Sequence, residues 1–343
     1  MSELNARIAR TMPGPFMGML APSAEAGRAR PLPASAPSPA PLGTATAQRR
    51  APFGRLKPQA FVRAWLPVPE HRDTLGSRGL LRRFVRDAPA VWLLLAALLL
   101  ALWPHWVWMA RRLTDGSDEP WGILALATVA ALVFRDRARL ALPSRAVLIG
   151  VAALALVAAA IGPFAPPPFA AAVALLALGV FLAGALPRRP AAPLVALLLL
   201  ALPIVASLQF YFGYPLRFAT AHAAAPLLAI AGFDVAARGA AFEFAGRTIL
   251  VDPPCAGIGM LWVGSCTAAL LSYLAGADAR RTLANGAVAA AAVFAANVLR
   301  NALLFFPESG LVAAPAWAHD AVGLAAFAAA IAPIVAFAHF GRA

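Results

Sequence analysis

From Ala88 onward the chain is a succession of long apolar runs separated by short loops, most of which carry arginine. This pattern allows few architectures. A helix of about 20 apolar residues crosses the roughly 30 Å hydrocarbon core of a bilayer. Inside that core every backbone polar group must be satisfied within its own element, which leaves helices as the natural solution for such runs. Composition agrees: 61% of residues are hydrophobic and only 13% charged, against about 45–50% and 25% in soluble domains. Spans are predicted near 89–110, 119–134, 146–162, 168–186, 191–212, 256–275, 283–306 and 319–339, the second and third being short. Segment 216–232 is apolar but begins at Arg217. It is predicted to lie in or dip into the interface rather than to form a ninth span. The expected fold is an all-α polytopic membrane protein with about eight transmembrane helices.

The net charge of +14 does not point to nucleic acid, because the arginines are spread through the N-terminal stretch and the loops. That distribution follows the positive-inside rule. Arg135, Arg137, Arg139 and Arg145, then Arg188 and Arg189, then Arg280 and Arg281, and finally Arg342 fall on one side. The uncharged loop 163–168 and the region 213–255 fall on the other. Both termini are expected in the cytoplasm. Residues 1–85 read as a basic, disordered cytoplasmic tail, with Pro/Ala/Ser-rich 31–42 unable to bury a core and part of 61–86 a candidate interfacial helix. No signal peptide is expected, since the first apolar run starts so late. Residues 86–190 form N-terminal transmembrane helices, and 191–343 a second transmembrane region. The alternation in 236–251 predicts a short extracytoplasmic β-hairpin turning at Gly246 and leading into Asp252, Pro253, Pro254 and Cys255.

Polar groups within apolar runs are functional candidates by default. Arg300 lies roughly 9 Å inside the outer end of its run at 1.5 Å per residue. Asn297, which shares its face, and Asn301 flank it. An arginine so placed can also snorkel to the headgroups. Cys255 precedes Gly257-Ile258-Gly259 at the start of a span, where amide N–H groups and the helix dipole stabilise a thiolate. Gly257 leaves room for close approach of a substrate backbone. Cys266, about 16 Å further along one helix, is too distant for a disulfide and reads as a small buried hydrophobe, so Cys255 is expected to be a free thiol. His319 opens the last span at the same outer level, with a side chain suited to proton exchange near neutral pH. His105 and His339 read as boundary residues, and His222 stays open. Arg217 lies just outside the fifth span. A thiolate nucleophile needs an acid–base partner and a positive charge, and Cys255, His319, Arg300 and Arg217 supply those types at one membrane depth.

Four short motifs occur in order: Tyr214-Pro215-Leu216-Arg217, Pro254-Cys255-Ala256-Gly257, Asn297-Val298-Leu299-Arg300, and His319-Asp320-Ala321-Val322-Gly323 with Phe327. With them the region 191–340 resembles the exosortase/archaeosortase family of membrane cysteine transpeptidases. Ala256 stands where many members have Ser or Thr, and Leu324 where Trp is common. The resemblance implies cleavage of C-terminal sorting signals on secreted proteins. Such a signal has a short motif (Pro-Glu-Pro in bacteria), a transmembrane helix and a basic cluster. It implies that Cys255 attacks the scissile carbonyl to form a thioester, His319 serves as general acid and base, and Arg300 stabilises thiolate or oxyanion. Arg217 then shapes the site or contacts an acidic group of the signal, with Asn297 and Gly257 in support. No metal or cofactor is implied. The implied setting is the inner membrane, with the site facing the periplasm, often beside exopolysaccharide production. Two other classes fit parts of the sequence: a transporter or polymer-export component whose pathway Arg300 lines, and a scaffold acting through its basic tail.

Overall fold

The structure is a computed structural model that describes residues 77–340 except 115, 117 and 316, with side chains from Pro89 on. The expected disordered tail over residues 1–76, and with it most of the candidate interfacial helix, lies outside the described residues. The first helix, Ser77–Ala101, takes in the last part of the stretch read as tail.

The described residues are mostly helical and include one small sheet. Four helices are long and apolar enough to cross a membrane: Pro167–Ala185, Pro253–Ala275 (counted with its leading turn), Ala279–Glu308 and Trp317–Phe340. A fifth crossing forms if Pro89–Ala101 and Trp103–Thr114 are taken together, though they meet at 69°. The bend falls at Leu102. Pro104 cannot donate to the carbonyl four residues back and its ring crowds it, so the run read as one straight span is two helices. Trp121–Arg135 and Arg145–Ile161 are apolar but have 15 and 17 residues, about 22 and 26 Å of helix.

The predicted span 191–212 is not one helix. Ala191–Leu199 ends before Pro203, and after a five-residue break the chain continues as Val205–Ile230. That second helix absorbs the segment predicted to be a separate interfacial helix, carrying Pro215 and Pro226 within it. Asp118 accepts from the Ala206 amide at its start, in the manner of a cap supplied from another loop.

The predicted hairpin is a three-stranded antiparallel meander: β1 Ala236–Arg238, β2 Ala241–Phe244 and β3 Arg247–Leu250, in the order β1-β2-β3. The β2–β3 turn uses Ala245 and Gly246, both at positive φ (49° and 75°), as a two-residue turn matched to strand twist requires. Phe242 and Phe244 then share one face and pack edge-on against Phe305. This aromatic contact fixes the sheet on the C-terminal end of Ala279–Glu308.

Two apolar cores result. One joins Phe181, Leu194, Leu197, Leu198 and Tyr273. The other joins Phe242, Ile249, Val251, Val298 and Phe305, and includes Cys255. The 18-residue helix Ile258–Ala275 runs about 27 Å between two polar ends of the bundle. At its far end the Tyr273 hydroxyl donates to Asp136 (3.0 Å), which also pairs with Arg189 (2.6 Å). Asp136 and the Arg189 side chain are nearly inaccessible, at 4% and 9% exposure, so this end is tied by a buried ion pair with a hydroxyl donor.

Candidate active site

Cys255 lies at the opposite end. Pro253 and Pro254 start a short 3-10 turn, Pro253–Ala256, and Gly257 joins it to the Ile258–Ala275 helix at φ 81°. The cysteine therefore sits on a turn that precedes the helix. The surrounding main chain is held carbonyl by carbonyl. Arg217 Nη1 donates to Val251 (3.2 Å), Gln209 Nε2 to Pro253 (2.6 Å), and the amides of Asn297 and Asn301 to Cys255 (3.0 and 3.3 Å). Asn297 also donates to Thr220 (3.3 Å). Gln209, Arg217 and Thr220 all belong to Val205–Ile230, so this helix lies alongside the segment that carries Cys255.

The sequence places Asn297 and Arg300 on one face, and the structure gives that face two functions. Asn297 and Asn301, at 2% and 4% exposure, point at the Cys255 turn. Arg300 turns toward His319, with Nη2 at 3.1 Å from Nε2. Cys255 Sγ is 3.8 Å from the same nitrogen. The structure thus brings Cys255, Arg300 and His319 together. Guanidinium is always a donor, so Nε2 is the acceptor at this contact. Nδ1 in turn faces Glu308 Oε1 at 3.8 Å.

Glu308 was missed in the sequence. Its only signal is that it ends the apolar run Leu303-Leu304-Phe305-Phe306-Pro307, and nothing there shows that the next helix returns a histidine to it. Gly323 was part of the histidine motif without a reason. A Cβ at Gly323 would lie 3.3 Å from Arg300 Nε, so this glycine makes room for the guanidinium. Arg300 Nε is buried without a hydrogen-bond partner, so one donor of the guanidinium is unused.

Gly257 differs from its expected role. The space over it is filled by Asn297, whose Cγ would be 2.9 Å from an added Cβ. The glycine admits a neighbouring side chain rather than a substrate backbone. Arg217 donates through Nε and Nη1 to the carbonyls of Gly213 and Val251, and so holds the segment leading to Cys255. His222 stacks on Phe218 with ring centroids 3.9 Å apart, while Cys266 packs in the first core.

Cys255 also lines a small recess. Phe242, Ile249, Val251, Leu304 and Phe305 form its apolar wall, with Leu250, Asp252 and Glu308 also lining it. A buried thiol, an imidazole within reach, a guanidinium and an adjoining apolar recess are the parts needed for nucleophilic attack on an acyl group.

A family model described as a transmembrane exosortase matches residues 113–336, well over half of the chain and all four motifs. No curated protein and no solved structure matches.

Proposed function

The chain belongs to the transmembrane exosortase family, and from that premise we propose that it is a cysteine transpeptidase acting on C-terminal sorting signals of secreted proteins. The observation that carries this reading is the convergence of Cys255 and Arg300 on one nitrogen of His319, at 3.8 and 3.1 Å. Exchange begins when the Cys255 proton passes to Nε2 of His319. The imidazolium then has Nδ1–H facing Glu308, and Arg300, having lost its acceptor, turns its N–H groups to the thiolate. The thiolate attacks the scissile carbonyl, and Arg300 stabilises the tetrahedral oxyanion. The Nε2 proton goes to the leaving amine as the C–N bond breaks, leaving a thioester on Cys255. An incoming nucleophile gives its proton back to Nε2, attacks the thioester and releases the thiol.

The substrate in this reading has a Pro-Glu-Pro-like motif followed by an apolar helix and a basic tail. Its helix enters the bilayer beside the enzyme and fixes the cleavage depth, a positioning effect that supplies a large part of catalysis. Eight crossings with both ends cytoplasmic, in the inner membrane, remain the proposed topology, with the fifth crossing broken near Pro203. Arg135, Arg188, Arg189, Arg280 and Arg281 border the end of the bundle away from Cys255, which supports a cytoplasmic assignment for that end and a periplasmic one for the site.

The test is co-expression of a tagged protein bearing such a signal with wild-type chain or Cys255→Ala. Wild type is expected to remove the signal, seen as a gel shift, and Cys255→Ala to leave it in place. Equal processing by both would overturn Cys255 as nucleophile.

A further inference from the structure

We propose that the free edge of β3 binds the substrate backbone in extended form, on the N-terminal side of the bond that Cys255 attacks; the inference rests on the transpeptidase reading above. The hydrogen-bond register identifies the groups involved. The Val251 amide donates to the Ala240 carbonyl at 3.0 Å. Opposed residues of an antiparallel pair alternate between bonded and non-bonded. With Phe242 opposite Ile249 and Ala241 opposite Leu250, Ile249 is bonded to β2, and Leu250 and Thr248 are not. The N–H and C=O groups of Thr248 and Leu250 therefore face away from β2. β3 ends the sheet, and among the described residues no strand lies beyond it.

Such an edge is a template for another chain unless it is covered, bulged or charged. Thr248 is exposed and Leu250 is 64% exposed, whereas Ile249 between them is buried. Neither outward residue is a charge or a proline. The edge also ends at the chemistry, because Leu250 and Asp252 line the same recess as Cys255. From Val251 to Cys255 the chain is pinned by Arg217, Gln209, Asn297 and Asn301. The main-chain groups of Leu250 consequently stand in a fixed relation to Sγ.

The occupant is an extended polypeptide, recognised through its main chain as in other strand additions. Its direction follows from topology. β3 leads into the Cys255 turn and then into a membrane helix. A sorting signal likewise runs from its secreted part through the scissile bond into its own helix. Residues preceding the scissile bond therefore lie parallel to β3, and alternate amides face Thr248 and Leu250.

The experiment uses the full-length chain in lipid nanodiscs and a fluorescent synthetic peptide with a Pro-Glu-Pro motif, an apolar helix and a basic tail. Binding is measured to Cys255→Ala, and cleavage to wild type. Peptides carry a single N-methyl group at successive amides of the non-proline stretch that precedes the motif, since the motif's prolines have no N–H to methylate. Methylation is expected to weaken binding about tenfold at every second amide and to leave the intervening ones unchanged. Leu250→Pro, which removes an outward N–H and spares the ladder to β2, is expected to weaken the unmodified peptide by a similar factor. Equal effects at successive amides, no effect at any, or no measurable binding would overturn the edge assignment. Cysteine-dependent cleavage without the two-residue period removes the edge assignment alone. The period without cleavage upholds the edge and removes the transpeptidase reading.

Discussion

At Gly257 two demands coincide on one residue. Its φ of 81° lies in the left-handed region, which costs other residues roughly 1–2 kcal/mol, and an added Cβ would meet the Asn297 amide at 2.9 Å. Gly257→Ala is therefore expected to lower the thermal midpoint of the purified protein and to loosen the Asn297 contact with the Cys255 carbonyl, with a matching fall in kcat. The same reasoning separates the two partners of His319. Removing the imidazole removes the acid–base group, so His319→Ala is expected to lower kcat about 10²–10⁴-fold. Glu308 acts through His319, and a 3.8 Å pair whose side chains are 38% and 34% exposed is worth about 1 kcal/mol or less. Glu308→Gln is expected to lower kcat by up to about fivefold with KM unchanged, and Glu308→Asp to recover part of it. An unchanged kcat in Glu308→Gln would remove Glu308 from the mechanism.

At the scale of elements, the meander matters because it delivers Cys255. Its tight turn places a non-glycine residue, Ala245, at φ 49°. Asparagine tolerates this region better than alanine and is favoured before glycine in such turns. Ala245→Asn is expected to raise the thermal midpoint slightly with unchanged processing, because Ala245 is exposed and distant in function from the thiol. A fall would argue against the turn type. The helix break near Pro203 has a parallel consequence. It separates Ala191–Leu199, packed in the first core through Leu194, Leu197 and Leu198, from Val205–Ile230, which is free to lie beside the Cys255 turn.

At the scale of the molecule, the two ends of the bundle are tied differently. The end away from Cys255 depends on the buried Arg189–Asp136 pair and the Tyr273 hydroxyl. Removing one partner of a buried pair leaves an uncompensated charge and costs about 3–5 kcal/mol. Asp136→Ala is therefore expected to sharply reduce the folded yield in membranes, measured by size-exclusion chromatography in detergent. Joint replacement by Asp136→Leu, Arg189→Met and Tyr273→Phe, which leaves no hydroxyl of this group without its acceptor, should recover much of it. Failure of the triple variant to recover would mean that the charges serve something beyond folding.

Whatever depends on local composition and order can be read along the chain. Apolar length makes the chain a multi-pass membrane protein, because a bilayer selects on length and polarity alone. The helices that begin at Pro167, Ile258, Ala279 and Trp317 were legible within a few residues, as were the motifs around Cys255, Arg300 and His319. Tertiary structure decided the rest. Proline effects depend on neighbours: Pro104 and Pro203 coincide with a bend and a break, while Pro215 and Pro226 sit inside a helix. Glu308 and His319 are joined only because Ala279–Glu308 and Trp317–Phe340 return to the same end of the bundle. Gly257, Gly323 and Arg217 acquired their roles from partners distant in sequence, namely Asn297, Arg300 and Val251. Those pairings arise from packing between helices, which no pattern along the chain encodes.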